Sequence, residues 1–393
     1  MKEAWLMQNG VKSKKSVGQA WLLLLGMLLV IGLSISTIIK IFAPEASNDV
    51  KAFKLPFAYN ETLTPFGNNV LYYDGTYLQC VSERGALRWS FHLGSNAGFH
   101  ANDDTVVAWA GSTLYILNSS GRSTYSDDLL GNIQFARVGE QYIAAIVGEM
   151  TSSSLVVKDL SGTHMDEESS AYEDLIILEV GFYGENGEHM WSLSYDVFGT
   201  TANTILNTYE VGRMNTGEYP LGEAITYSVI YEKGKLRVIN TETMMTFDER
   251  GTLQNGSDVL VYGWQLIDHV SKKDDDAMML FAPTTQTSSQ SEIRELRLVT
   301  EENDIRFSLP DKSIGALIHP QYIFAFSENS LYRAGHRNNR FITFDVPIET
   351  PITNVIGLLG NDYALVSSNA DVYTVSLPQE GENYKGVSAS ERN

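Results

Sequence analysis

A short strand, a tight turn and a second strand recur along most of this 393-residue chain, and that recurrence limits the folds open to it. The first copies read LYYDGTYLQCVSERGALRWSF at 71–91, VVAWAGSTLYILNSSGRSTYS at 106–126 and LEVGFYGENGEHMWSLSYD at 178–196. They continue as YSVIYEKGKLRVINTETMMTFDERG at 227–251, YIFAFSENSLYRAGHRNNRFITF at 322–344 and YALVSSNADVYTVSLP at 363–378. β-Branched and aromatic residues fill the runs, as a pleated, half-buried surface prefers. Gly, Asn or Asp turns close them, and no 3.6-residue periodicity is sustained between Phe53 and Leu377. These are the marks of an all-β domain. One meander cannot bury both of its faces, so the copies must stack. Radial stacking gives a β-propeller, with about 40–50 residues to a four-stranded blade.

Seven units fit between about Gly67 and Leu377, two of them stretched by insertions, so the expected ring has seven blades. Eight blades is the alternative, and a pair of two-sheet sandwiches comes third. The insertions are placed near Met150–Asp174, with MTSSS and DEESSAYED, and near Ala282–Glu292, APTTQTSSQSE. Both are Ser/Thr-rich or acidic and read as exposed loops. The last unit, 351–378, is short of a strand. The extended piece Phe53–Leu63 is placed to supply it, closing the ring by pairing the two chain ends.

Ahead of the repeats, the run from Ala20 to Ile39, AWLLLLGMLLVIGLSISTII, carries no charge. As a helix it spans roughly 30 Å, the thickness of a bilayer's hydrocarbon core. Lys12, Lys14 and Lys15 precede it, whereas Lys40 is soon followed by Glu45 and Asp49. The positive-inside bias then puts residues 1–19 in the cytoplasm and the bulk of the chain outside. Bulky Ile38, Ile39, Ile41 and Phe42 stand where signal cleavage would need small residues, so the run reads as an uncleaved single-pass anchor. With no Cys near its end, a lipoprotein is excluded. The expected organisation is a basic tail at 1–19, an anchor helix at 20–42, a linker at 43–52, an extracytoplasmic propeller at 53–378 and a disordered polar tail at 379–393.

Charge narrows the partners. Lys+Arg 28 against Asp+Glu 48 gives −20, and residues 1–42 hold Lys2, Lys12, Lys14, Lys15 and Lys40 against Glu3 alone. The remainder is therefore more acidic than the whole, which disfavours nucleic acid and anionic lipid heads and keeps an exported domain soluble. Cys80 is the only cysteine, so no disulfide forms within the chain and burial alone must hold the fold. In its strand-like run Cys80 reads as a small buried hydrophobe.

No catalytic, cofactor-binding or metal-binding residue is assigned. His92, His100, His164, His189, His269, His319 and His336 show no His-x₃-His or His-Glu-x-x-His spacing. Asp274-Asp275-Asp276 and Asp166-Glu167-Glu168 lack the alternating spacing of a calcium loop and read as solvated charged turns. Neither a G-x-S-x-G elbow nor a Walker loop occurs. Asn60, Asn118 and Asn255 stand in Asn-x-Ser/Thr triplets, which turn chemistry explains as well as glycosylation does at Asn118 and Asn255. Paired carboxylates for glycan chemistry can come from any two blades, and no pair is named.

The pattern x-G-x-x-x-W-x, at ERGALRWSF (83–91) and ENGEHMWSL (185–193), resembles the quinoprotein-type (PQQ-like) propeller repeat. In that superfamily the Gly makes the turn and the aromatic packs between blades. The whole chain looks like a family of membrane-anchored bacterial propeller proteins whose function is open. It departs from the pattern where Gly121 is followed by Tyr125, and Gly251 by no aromatic before Tyr262. Quinone-dependent members use an adjacent Cys-Cys disulfide and a Ca²⁺ site, and a lone Cys80 removes the first. The resemblance therefore implies the non-enzymatic members, such as the outer-membrane assembly lipoprotein that holds partners on its rim. The expected role is a non-catalytic scaffold for a protein or cell-envelope partner, without cofactors. A glycan-acting envelope enzyme with acids at the propeller channel is the alternative, and an extracytoplasmic sensor the second alternative. Alkaline carbonate extraction is expected to leave the full-length chain in the membrane pellet and to release a form lacking residues 1–42. A mature N terminus beyond Phe42, read by intact mass, would overturn the anchor.

Overall fold

Val106–Trp109, Ile143–Val147 and Ile323–Phe326 are runs without polar alternation, and each is buried along its length. A strand covered on both faces has this pattern, and each of these is the second strand of a four-stranded antiparallel sheet. The outermost strands read differently. Leu87–His92 and Ser123–Asp128 alternate between exposed and half-buried positions, as strands with one wet face do.

The computed structural model describes residues 50–60, 62–169, 174–272, 275–284 and 292–379. The tail and anchor expected over 1–42, most of the linker, and the C-terminal tail from 380 lie outside the described residues. Among the described residues, no helix is long and apolar enough to cross a membrane.

Eight sheets are present, and they form an eight-bladed propeller. Blades 1 to 4 span Thr64–His92, Ala97–Asp128, Ile133–Glu168 and Leu175–Gly222. Blades 5 to 7 span Thr226–Leu260, Trp264–Ser313 and Gly315–Asp345. Blade 8 takes three strands from Asn354–Ser376 and its outermost strand, Ala52–Ala58, from the other end of the chain. That strand pairs antiparallel with Asp371–Ser376, Ala52 opposite Val375 and Ala58 opposite Asp371. The first strand of each blade is innermost, and first strands touch between blades 2, 3 and 4, between blades 5, 6, 7 and 8, and between blades 8 and 1.

The expected count of seven was one too few. Met150–Asp174, read as a loop insertion, contains Ser152–Asp159 and His164–Glu168, the third and fourth strands of blade 3. An outer strand such as HMDEE has one face in water and little to bury, so its composition mimics a loop. The second supposed insertion begins within the strand Asp275–Pro283, and its centre, 285–291, lies outside the described residues. The repeats were also read out of phase. Residues 71–91 are the second to fourth strands of blade 1, whereas 178–196 are the first and second of blade 4.

The core lies between blades. Blades 2 and 3 close over Val107, Trp109, Leu114 and Ile116 against Ile133, Ala136, Ile143 and Ala145. At the ring's closure Leu55, from the N-terminal strand, joins Leu359, Leu365 and Val372 of blade 8 and Val70 and Val81 of blade 1.

One turn recurs between third and fourth strands. Ser82-Glu83-Arg84-Gly85, Asn118-Ser119-Ser120-Gly121, Asp159-Leu160-Ser161-Gly162 and Asp248-Glu249-Arg250-Gly251 share one hydrogen-bond pattern. In each, the first side chain accepts amide hydrogens from within the turn, as Asp159 Oδ1 does from Ser161 and Thr163 at 2.9 and 2.8 Å. In each, the Gly has positive φ, between 73 and 88°. These glycines are also the seats of neighbouring blades. A Cβ on Gly121 would lie 2.3 Å from the Trp89 ring of blade 1, whose Nε1 donates to the Ser119 carbonyl at 3.0 Å. A Cβ on Gly162 would lie 2.2 Å from Tyr125 of blade 2. Pro56 takes the same place against Gly85, with its Cδ 3.1 Å from the would-be Cβ, so the N-terminal strand carries the clasp across the closure. The second motif copy, Glu185–Leu193, has another setting. It joins the first and second strands of blade 4, and Trp191 covers Gly181 opposite it in the same sheet.

The inner strands hold one another by side chain to backbone bonds. The Val138 amide donates to His100 Nδ1 at 3.3 Å, and the Leu266 amide to the Tyr227 hydroxyl at 3.2 Å. Arg137 pairs with Glu179 at 2.7 Å. Asp268 accepts the amides of Ile318 and His269, each at 2.8 Å. Burial pushes its carboxyl up to about 6 even though both amides favour the ionised form.

Two predictions follow from this arrangement. Gly111 has φ +61° and open space around its Cβ position, so Gly111→Ala costs about 1 kcal/mol, the left-handed backbone term alone. Gly121→Ala adds displacement of a seated indole and costs about 3 kcal/mol in urea unfolding; equal losses for the two variants would refute the clasp. An acid whose folded value lies above its ordinary one stabilises the fold below the ordinary value, and that stability is lost as pH rises through the folded value. The unfolding free energy of wild type relative to Asp268→Asn is therefore expected to fall by on the order of 2 kcal/mol from about pH 3 to about pH 8. A difference independent of pH would count against it.

Candidate functional site

The direction of the chain gives the ring two unlike faces. Turns between second and third strands, and the links from one blade to the next, emerge on one face, the connecting face. Turns between first and second strands and between third and fourth strands emerge on the other.

Exposed apolar side chains gather on the connecting face. Among the described residues twelve large apolar side chains are exposed, and ten of them lie in its turns and links or at the strand ends beside them. Leu130 and Met150 belong to the rim of blade 3, and Val197 and Phe198 to the second turn of blade 4. Ile225, Tyr227, Leu260 and Tyr262 surround blade 5, while Tyr59 and Tyr77 stand near the ring closure. The exceptions are Leu87, on the opposite face, and Leu178, at a bulge in the inner strand of blade 4.

The group on blade 5 is continuous. The Thr241 amide donates to the Ile225 carbonyl at 3.1 Å, and the Val261 amide to the Glu242 carbonyl at 2.9 Å. One short turn thereby ties the link that enters the blade to the link that leaves it. Val261 is fully buried between Leu260 and Tyr262, which are 68% and 71% exposed. Its anchorage turns both neighbours outward.

Charge is as unevenly placed. Among the described residues, the turns and links of the connecting face carry Asp74, Asp174, Glu223, Glu242, Glu292, Glu328 and Glu349, with no Lys, Arg or His. The cations that reach it come from strands and are already paired: Lys312 with Glu292 at 2.5 Å, Lys54 with Asp371 at 2.6 Å, and Arg297, whose guanidinium donates to the Leu260 carbonyl at 2.8 Å, with Asp304 at 2.8 Å. The opposite face mixes signs, with ion pairs such as Lys235–Glu301 at 2.6 Å and Lys233–Asp276 at 2.8 Å.

Over blades 6 to 8 the connecting face holds a cleft of about 950 Å³. Its walls are mainly small and polar, including Ser327, Asn329, Thr353, Asn354 and Asn369. Several of these groups are internally engaged: Thr353 and Asn354 both bond Ser367.

The residues singled out from sequence fall into structural roles. Cys80 is buried in the third strand of blade 1, and burial pushes its thiol up to about 11. Asp166, Glu167 and Glu168 form an outer strand instead of a turn. Asp274 lies outside the described residues, and Asp276 stands in a strand, paired with Lys233. Asn60 receives the Thr62 amide and donates to the Tyr73 carbonyl, while Asn118 caps its turn. Burial, with Arg137 nearby, pushes His100 down to about 4. The fold does join two histidines far apart in sequence: His336 Nε2 lies 2.9 Å from the carbonyl of buried His319, beneath blade 7. Among the described residues no cluster of three or more His, Cys, Asp or Glu is placed to hold a metal ion.

Sequence comparison finds no matching family model and no matching curated protein. Solved structures do match in shape. The Saccharomyces cerevisiae protein Sqt1 is 10% identical, with a TM-score of 0.53 over 84% of this chain and 100% of that one. A eukaryotic initiation factor is 12% identical, with a TM-score of 0.52 over 84% of this chain and 88% of that one. BamB from Moraxella catarrhalis is 10% identical, with a TM-score of 0.49 over 84% of this chain and 99% of that one. At such identities the first two comparisons establish the β-propeller fold and nothing finer.

Proposed function

We propose that this chain is a non-catalytic scaffold, tethered to the outer face of a membrane through residues 20–42, which holds a protein partner on its connecting face. One observation carries the reading: exposed apolar side chains concentrate on the face whose turns and links, among the described residues, bear acids and no Lys, Arg or His. Large apolar side chains in water cost free energy in proportion to their area, and a contiguous group of them marks an interaction surface. The tether is supported by the uncharged run at 20–39 and the lysines before it. The likeness of Glu83–Phe91 to quinoprotein-type repeats supports a place in that superfamily, and the clasp of Trp89 on Gly121 is the packing that this likeness implies. An enzymatic reading gains no support from Asp268, whose two carboxylate oxygens are both engaged by backbone amides.

A photo-crosslinking side chain placed at Ile225 or Tyr262 of the full chain, in its native cells, is expected to give a reproducible protein adduct. The same group at Leu87, equally exposed on the opposite face, should give none. Identical adduct patterns from both faces, or none from either, would sink the scaffold reading.

A further inference from the structure

Resting on that reading, we infer that the segment seated over blade 5 is both cationic and apolar, a strip of lysine or arginine interleaved with bulky aliphatic or aromatic residues. Ile225, Leu260 and Tyr262, each more than 60% exposed, form the apolar floor. Glu223 and Glu242, both exposed, border it in the incoming link and in the turn that ties the two links together. Neither carboxylate has a Lys or Arg within ion-pair distance among the described residues.

Complementarity then selects the occupant. Unneutralised carboxylates around an apolar floor repel an acidic surface and attract a cation whose neighbours can cover the floor. The Tyr262 ring, 71% exposed, adds a face on which an ammonium or guanidinium can rest. An anionic bilayer surface or a nucleic acid would meet the same carboxylates with the wrong sign. A neutral apolar segment would cover the floor and leave the acids without partners. Because the acids are exposed, their share of the attraction is screened as salt rises through the range where the Debye length falls below about 10 Å.

The test uses the full-length chain in a non-ionic detergent and three benzophenone-bearing helical peptides of equal length and equal leucine content. Their polar positions are all Lys, all Gln or all Glu, and labelled sites are located by mass spectrometry. The Lys/Leu peptide is expected to label the segments around Ile225, Glu242 and Tyr262 at least about five-fold more than the Gln/Leu peptide, and the Glu/Leu peptide not at all. Glu223→Lys with Glu242→Lys should cancel the excess, and so should Ile225→Ser with Tyr262→Ser; both pairs sit on the surface, and unchanged unfolding midpoints check that they fold. Equal labelling of this face by all three peptides overturns the cationic assignment and leaves the docking face standing. Excess labelling that survives the Ile225 and Tyr262 changes overturns the apolar floor. No labelling of this face by any peptide overturns both the inference and the scaffold reading.

Discussion

A four-stranded sheet whose second strand is buried on both faces has no stable existence in water until other sheets cover it. Every blade here has that composition, so each depends on two neighbours, and the ring depends on its closure. The closure is the pairing of Ala52–Ala58 with Asp371–Ser376, which completes blade 8 with a strand from the opposite end of the chain. Leu55 then seals blade 8 against blade 1, and Pro56 sits on Gly85. Backbone hydrogen bonds set the register, and apolar burial supplies most of the energy. No disulfide contributes, since Cys80 has no partner cysteine.

The fold class was legible because short β-branched and aromatic runs such as VVAWA and YIFAF recur with turn residues closing each one. The blade count was not. Fourth strands face water on one side, and His164–Glu168 is indistinguishable by composition from a charged loop. An antiparallel meander also looks alike in every phase, so copies at 71–91 and 178–196 were superposed although they begin on different strands. Ser, Asn or Asp stands three residues before a Gly at that corner, at 82–85, 118–121, 159–162 and 248–251, but the same spacing falls elsewhere, as at 128–131 and 196–199, and only the left-handed glycine tells them apart. A turn with a side-chain cap and a left-handed glycine marks one particular corner of a blade.

The exposed apolar side chains of the connecting face were illegible for a different reason. Its apolar members are scattered from Tyr59 to Tyr262, and each stands among buried residues of the same type. Leu260, Val261 and Tyr262 would all be assigned to the core by composition, yet only the middle one is inside. Which side chains turn outward depends on the hydrogen bond from the Val261 amide to the Glu242 carbonyl, and that contact joins a turn to a link well separated from it in sequence. The charge asymmetry is hidden likewise, because the sequence interleaves the turns of both faces.

The division of labour between the faces follows from where the blades are held together. On the opposite face, Gly85, Gly121 and Gly162 receive side chains from the preceding blade, and ion pairs such as Lys235–Glu301 cross from blade 5 to blade 6. Substitution there disturbs the ring itself. The connecting face carries no such series of seats: a Cβ on Gly111, Gly222 or Gly263 meets nothing within 4 Å. Its turns can therefore hold Phe198, Ile225 and Tyr262 in water without weakening the blades beneath. Side chains that water disfavours, standing where few packing seats join one blade to the next, are the feature on which the proposed partner surface rests.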